Sequence, residues 1–149
     1  IMIYLATDHA GFELKEKIKK YLTEELGLEV KDFGNFVYDE NDDYPDWILP
    51  AAKAVARDLE GGMDSKAIIL GGSGQGEAMI ANRVSCIRAT VLYYFNEEII
   101  KLSKEHNDAN VLSLGARFIS EGDAKRSVKL WLETEFSKEE RHQRRIGKF

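Results

Sequence analysis

Along this chain, short apolar runs of strand length alternate with stretches in which apolar residues recur every three or four positions. Met2 to Thr7 reads as a first strand. Asp8 to Gly11 then turn into a helix over Phe12 to Leu26, where Leu14, Ile18, Leu22 and Leu26 form one stripe. Gly27 closes that helix, and Leu28 to Phe33 is a second strand. Residues 34–45 form a polar, acidic loop before a helix from about Trp47 to Glu60, introduced by Pro45 and Asp46 and ended by Gly61 and Gly62. Lys66 to Leu70 is the third strand, followed by a glycine-rich loop and a helix over Glu77 to Arg83. Ile87 to Tyr93 and Asn110 to Leu114 complete the strands, and Asn96 to Glu105 and Glu121 to Glu135 complete the helices.

Strand and helix alternate with no candidate hairpin, no internal repeat and no long linker. The pattern predicts a single three-layer, doubly wound α/β domain over residues 1–149 with a five-stranded parallel sheet. In such sheets ligands sit beyond the carboxyl ends of the strands, so the loops after strands one, three, four and five are the expected functional ones. Asp8 and His9 end the first strand, while His106 and Asn107 precede the fifth, and all four are expected at that edge.

The third strand runs into glycines at 71, 72, 74 and 76 with Ser73 among them, then into Glu77 where helical character returns. Strand, bare backbone and helix start in that order make a cradle for an anion, or for negative charge that develops during a reaction. Close strand-to-helix packing also favours glycine, but four glycines in six positions are costly in conformational entropy for packing alone. The loop lacks the GK[ST] ending of a triphosphate-binding loop and follows the third strand, which weakens a dinucleotide reading. Glu77 at the third helical position could simply neutralise the helix dipole. Alternatively it is a general base beside a nest of backbone N–H groups, a pairing suited to abstracting a proton next to a carbonyl. The dipole alone would keep it acidic, so a base here requires desolvation.

Composition narrows the function. The net charge of −5 argues against a broad nucleic-acid surface, and no segment approaches the ~20 apolar residues needed to cross a bilayer. The first residues carry no basic region of a signal peptide, and the single cysteine, Cys86, cannot form an internal disulfide; both point to the cytoplasm. The three histidines, at 9, 106 and 142, have no zinc spacing, so no metal is expected. Residues 138–149 gather Lys138, Arg141, Arg144, Arg145 and Lys148 in an otherwise acidic chain. This segment is either a solvated tail or a helix whose Arg141 and Arg145, four apart, clamp a phosphate.

Five motifs then stand in order: ATDHAGFELK at the start, DYPD at 43–46, GGSGQGEAMIANR at 71–83, EHNDANVLSLGAR at 105–117 and RHQRR at 141–145. With them the sequence resembles the ribose-5-phosphate isomerase B family, which includes the galactose-6-phosphate isomerase subunits, over nearly its full length. The resemblance implies a Rossmann-like fold, an aldose–ketose isomerase without metal or organic cofactor, and a homo-oligomer, dimer or tetramer, whose sites combine residues of two subunits. It implies that Asp8 and His9 line the sugar site and that His106 with Asp8 opens the furanose ring. Asn107 would hold a sugar oxygen and Tyr44 the pocket wall. Arg117, Arg141 and Arg145 would hold the phosphate near His9 or His142, and Ser73 with the backbone of Gly72, Gly74 and Gly76 would stabilise an enediolate. Many members begin the glycine loop with a cysteine base, where this chain has Gly71. A second branch places a glutamate six residues later, where Glu77 stands.

The expected activity is therefore interconversion of ribose 5-phosphate and ribulose 5-phosphate with Glu77 as base. The rivals are another phosphorylated sugar, such as a hexose 6-phosphate or a tetrose phosphate, and a non-catalytic phosphosugar-binding subunit. A nucleic-acid module built on the basic tail fits worst, because the positive charge is short and no aromatic residues interleave it.

Overall fold

The computed structural model describes residues 1–149. Five strands, β1 (Met2–Thr7), β2 (Glu29–Asp32), β3 (Ser65–Gly71), β4 (Ala89–Leu92) and β5 (Val111–Gly115), form one sheet in the order β2-β1-β3-β5-β4. Every neighbouring pair is parallel. Six α-helices connect and follow them: α1 (Phe12–Lys20), α2 (Tyr44–Glu60), α3 (Gln75–Ala81), α4 (Glu97–Glu105), α5 (Glu121–Glu133) and α6 (Glu140–Ile146). The predicted first helix is longer than α1 because its last turn, Tyr21–Glu25, widens to π geometry before Gly27 takes a positive φ of 65°. The predicted acidic loop ends two residues early, with Tyr44 as the first residue of α2.

Alternate residues of the central strands feed two separate apolar layers, as a parallel sheet covered on both faces requires. Ile3, Leu5, Ile68, Leu70, Leu112 and Leu114 pack with Ile18 and Leu22 after β1, Ile100 of α4, and Val128 and Trp131 of α5. Tyr4, Ala6, Ala67, Ile69 and Val111 pack on the other face against Ile48, Ala51, Ala52 and Val55 of α2 and Ala81 of α3. The row of alanines on α2 lets that helix lie close to the sheet, and α2 reaches β1, β3 and α3. No helix is long and apolar enough to cross a membrane.

Strand order reverses between β1 and β3: β2 lies to one side of β1, and the remaining strands lie to the other. The carboxyl ends of β1, β3 and β5 converge there, at the crevice where open α/β sheets take ligands. The segment at 138–149 is not a loose tail throughout, since residues 140–146 are the helix α6.

Candidate active site

Asp8 leaves the end of β1 and caps a single 3₁₀ turn, its Oδ1 accepting the Ala10 N–H at 3.0 Å. Its side chain is buried, and burial is the main reason its carboxyl is pushed above the ordinary aspartate range. His9 follows, half-buried, with Nδ1 2.7 Å from Asp42 Oδ1. That contact is the largest influence holding the imidazole above its ordinary pKa.

The glycine loop after β3 is shaped by what approaches it. Gly74 is the N-cap of α3 with φ +76°, and a Cβ there would press on Ser113 Oγ and the Leu114 carbonyl. Ser113 in turn donates to the Gly74 carbonyl at 2.7 Å, and Ser73 Oγ accepts the Gln75 N–H at 3.2 Å. The Tyr44 hydroxyl lies against Gly76, and the Arg117 guanidinium lies over Gly72. Arg117 comes from the turn after β5, where its N–H and that of Ala116 bond the carbonyls of Gly72 and Gly71. Its side chain has no carboxylate partner in the chain, which leaves an exposed cation beside the loop, within the electrostatic reach of Asp8 and His9.

Glu77 stands at the third position of α3, as its spacing from the glycines predicts, and it is only 4% exposed. A Cβ on residue 71 would overlap its carboxylate. The absence of a side chain at 71 is therefore the space that Glu77 fills, and a cysteine there could not coexist with this glutamate in this position. Desolvation raises the Glu77 carboxyl above its ordinary range, the Asp8 charge adds to the rise, and its own backbone N–H opposes it. Burial thus outweighs the helix N-terminus, the condition a base at this position requires.

The remaining predicted residues lie elsewhere, and here the expectation from the sequence is corrected. His106 and Asn107 precede β5, so they stand at the amino edge of the parallel sheet, whereas Asp8 follows β1 and stands at the carboxyl edge. The 7-residue β3 spans from one edge to the other, roughly 20 Å at ~3.3 Å per residue. His106 and Asp8 of one chain therefore do not meet.

At the amino edge a second group assembles. The His106 ring stacks on His142 of α6 with centroids 4.1 Å apart and planes 20° apart. His142 is buried with no hydrogen bond to Nε2, which lies 3.9 Å from the Glu139 carboxylate, and desolvation followed by the His106 charge lowers its pKa. Arg141 and Arg145 are exposed one turn apart on α6; Arg141 Nε donates to Glu139 at 3.0 Å, and Arg145 has no ion-pair partner. Arg88, which sequence reasoning missed, fastens the loop that carries His106 and Asn107: its guanidinium donates to the carbonyls of Asn107 and Asp108 at 2.8 Å each. A cleft of about 610 Å³ opens at this edge, lined by residues that include Arg88, Asn107, Ile146 and Phe149.

Asp8, His9 and Asp42 alone bring three metal-ligating atoms within 4.8 Å of one another. Their hydrogen bonds to Ala10, to Asn35 and within the group already account for the arrangement.

Known proteins match this chain in both sequence and fold. Residues 3–149 match the sequence profile of the family described as Ribose/Galactose Isomerase. The ribose-5-phosphate isomerase B of Mycolicibacterium paratuberculosis is 41% identical over 97% of this chain and 86% of its own. The structure of Clostridium thermocellum ribose-5-phosphate isomerase B superposes with a TM-score of 0.88 at 40% identity, covering 99% of this chain and 94% of that one. That of the Mycoplasma genitalium ribose-5-phosphate isomerase B, with bound ribulose-5-phosphate, gives 0.90 at 34% identity, covering 99% and 92%. With a profile matched from the third residue to the last and the Rossmann-like fold in common, the chain belongs to the ribose/galactose isomerase family.

Proposed function

We propose that this protein interconverts ribose 5-phosphate and ribulose 5-phosphate, with Glu77 carrying the proton between C1 and C2. The observation that carries the reading is the buried Glu77 carboxylate, raised in pKa and seated in the space freed by Gly71 beside the glycine loop. The relatives named as ribose-5-phosphate isomerases, one of them holding ribulose-5-phosphate, support the choice of sugar.

The active unit in this reading is a homo-oligomer, at least a dimer. Asp8, His9, Tyr44, Ser73, Glu77 and Arg117 belong to the carboxyl edge of the sheet, and His106, Asn107, Arg141, His142 and Arg145 to the amino edge. One chain cannot close these halves on each other, but two copies related by a twofold axis can, each lending its amino edge to the other's carboxyl edge. Asp8 and the partner's His106 then open the furanose ring and expose the C1 aldehyde.

Glu77 takes the proton from C2, and electrons shift onto the C1 oxygen, where backbone N–H groups of residues 72–76 meet the developing charge. Protonated Glu77 returns the proton to C1, the O2 proton passes to O1, and the ketose results. The phosphate does not react. Arg117 and the partner's Arg141 and Arg145 hold it, so binding energy remote from C1 and C2 orients the reacting atoms.

The test is a steady-state assay of the purified protein, treated with chelator, on ribose 5-phosphate beside allose 6-phosphate, galactose 6-phosphate and a tetrose phosphate. Preference for ribose 5-phosphate is expected. Preference for a hexose or tetrose phosphate would retain the chemistry and overturn the substrate, and no turnover on any would overturn both.

A further inference from the structure

Nothing in the roles assigned so far uses Asp42, yet the chain builds a buried framework around it. Asp42 Oδ1 accepts the backbone N–H of His9 at 3.1 Å and lies 2.7 Å from the ring Nδ1, with the Asp42 side chain only 6% exposed. A carboxylate only accepts, so Nδ1 carries the proton and Nε2 is left without a partner in the chain. Asp42 Oδ2 accepts Asn35 Nδ2. Asn35 is fixed in turn: its N–H bonds the Thr7 carbonyl, and its carbonyl accepts from Lys15 Nζ, both at 2.8 Å. Lys15 is fully buried and bonds Asp32 Oδ2 at 2.7 Å. Asn35 Oδ1 is left buried and unpartnered, an unfavourable arrangement that the amide tolerates while giving its N–H to Asp42.

We propose that Asp42 is a positioning residue that acts through His9, fixing the ring by Nδ1–H and presenting Nε2–H to the anionic end of the sugar phosphate beside Arg117. The inference rests on the isomerase reading for its substrate, but the ring's tautomer and anchoring do not. An ionised orienting carboxylate keeps the ring cationic at a higher pH and fixes the direction of its free N–H, as carboxylates do for ligating and catalytic histidines. The other groups facing His9 are Asp8, which also favours its cation, Arg117, which opposes it, and the Tyr38 ring at 6.0 Å. Behind Asn35, Lys15 bonds Asp32 and pairs with Glu16, while Asp32 also takes Lys19, and this ionic cluster holds the frame.

Two variants and one spectrum test this. In the wild-type protein, nitrogen-detected NMR of His9 is expected to report the Nδ1–H form when the ring is neutral. The Nε2 resonance should move when inorganic phosphate is added. Wild-type kcat/KM should fall on the alkaline side as His9 loses its proton. In Asp42→Asn that limb should move to lower pH, with kcat/KM beyond it about tenfold lower for each unit moved. The loss should be carried by KM, with kcat within about threefold of wild type. Asn35→Ala keeps the carboxylate but frees it, so KM should rise severalfold while the limb stays near its wild-type pH.

A wild-type neutral ring protonated at Nε2 overturns the proposal whether or not any variant folds. So does an Asp42→Asn enzyme with unchanged KM and alkaline limb. If no sugar phosphate is turned over, the isomerase reading falls, while the tautomer and the phosphate-dependent shift still decide the role of Asp42.

Discussion

Adding a single methyl group at position 71 tests how tightly the glycine loop and Glu77 are fitted together. In Gly71→Ala the new Cβ would overlap the Glu77 carboxylate, and the strand cannot yield to it. Gly71 is paired with Gly115 at the end of β3, and its carbonyl accepts the Ala116 N–H at 2.8 Å. The Glu77 side chain is the part free to move, so it should rotate out of its buried position towards water. Proton transfer by a positioned base is worth about 10²–10⁴ in rate, so kcat should fall by that range, about 2.7–5.4 kcal/mol in the barrier.

Stability should change less. Overpacking costs about 1–3 kcal/mol, and releasing the buried carboxylate to water offsets part of it. The assay is kcat and KM on ribose 5-phosphate at pH 7.5 for Gly71→Ala, Glu77→Gln and the double variant. The double variant should be no slower than Glu77→Gln alone, because both changes remove the same function. A Gly71→Ala enzyme with kcat within threefold of wild type would refute the reasoning.

Other outcomes follow from the same geometry. Because the folded carboxyl of Glu77 is raised above 4.5, the folded state binds more protons than the unfolded one above that pH, so its contribution to stability declines as pH rises towards the folded pKa. Glu77→Gln removes that decline; by thermal melting it should gain a few degrees in Tm at pH 7–8, a gain that closes as pH falls to about 4.5. Arg117→Ala removes an unpaired cation beside Gly72 and should raise KM about tenfold or more with a smaller change in kcat, read by steady-state kinetics. If the active unit is the proposed dimer, inactive Glu77→Gln and His106→Asn proteins, unfolded and refolded together in equal amounts, should recover about a quarter of wild-type activity, since half the dimers would be mixed and each would carry one intact site. No recovery would place the whole site within one chain.

The alternation of strand and helix was legible because both faces of the sheet are buried: Ile68 to Leu70 reads as a continuous apolar run, and Ile18 and Leu22 repeat at helical spacing. The Gly74 cap with Glu77 three residues on was equally local, and the structure keeps it. What failed was the edge assignment of His106 and Asn107. All four of Asp8, His9, His106 and Asn107 were expected at one edge, but in a parallel sheet a residue before a strand and a residue after one lie at opposite ends. The strand order β2-β1-β3-β5-β4 was also illegible, since it depends on pairings between segments distant in sequence. Asp42 and Asn35 carried no signal because their role is to touch His9, and the loop around them reads only as acidic. The burial of His142 was masked by the four basic residues, Lys138, Arg141, Arg144 and Arg145, within four positions of it.

The most direct test of the proton-transfer assignment is kcat for Glu77→Gln on ribose 5-phosphate, with substrate affinity measured alongside. The amide keeps the shape of the buried side chain and cannot accept the C2 proton. The account expects kcat to fall at least about 10²-fold with KM within a few-fold of wild type. A Glu77→Gln enzyme that turns over at close to the wild-type rate would contradict it, and the base would have to be sought among the other groups of the site.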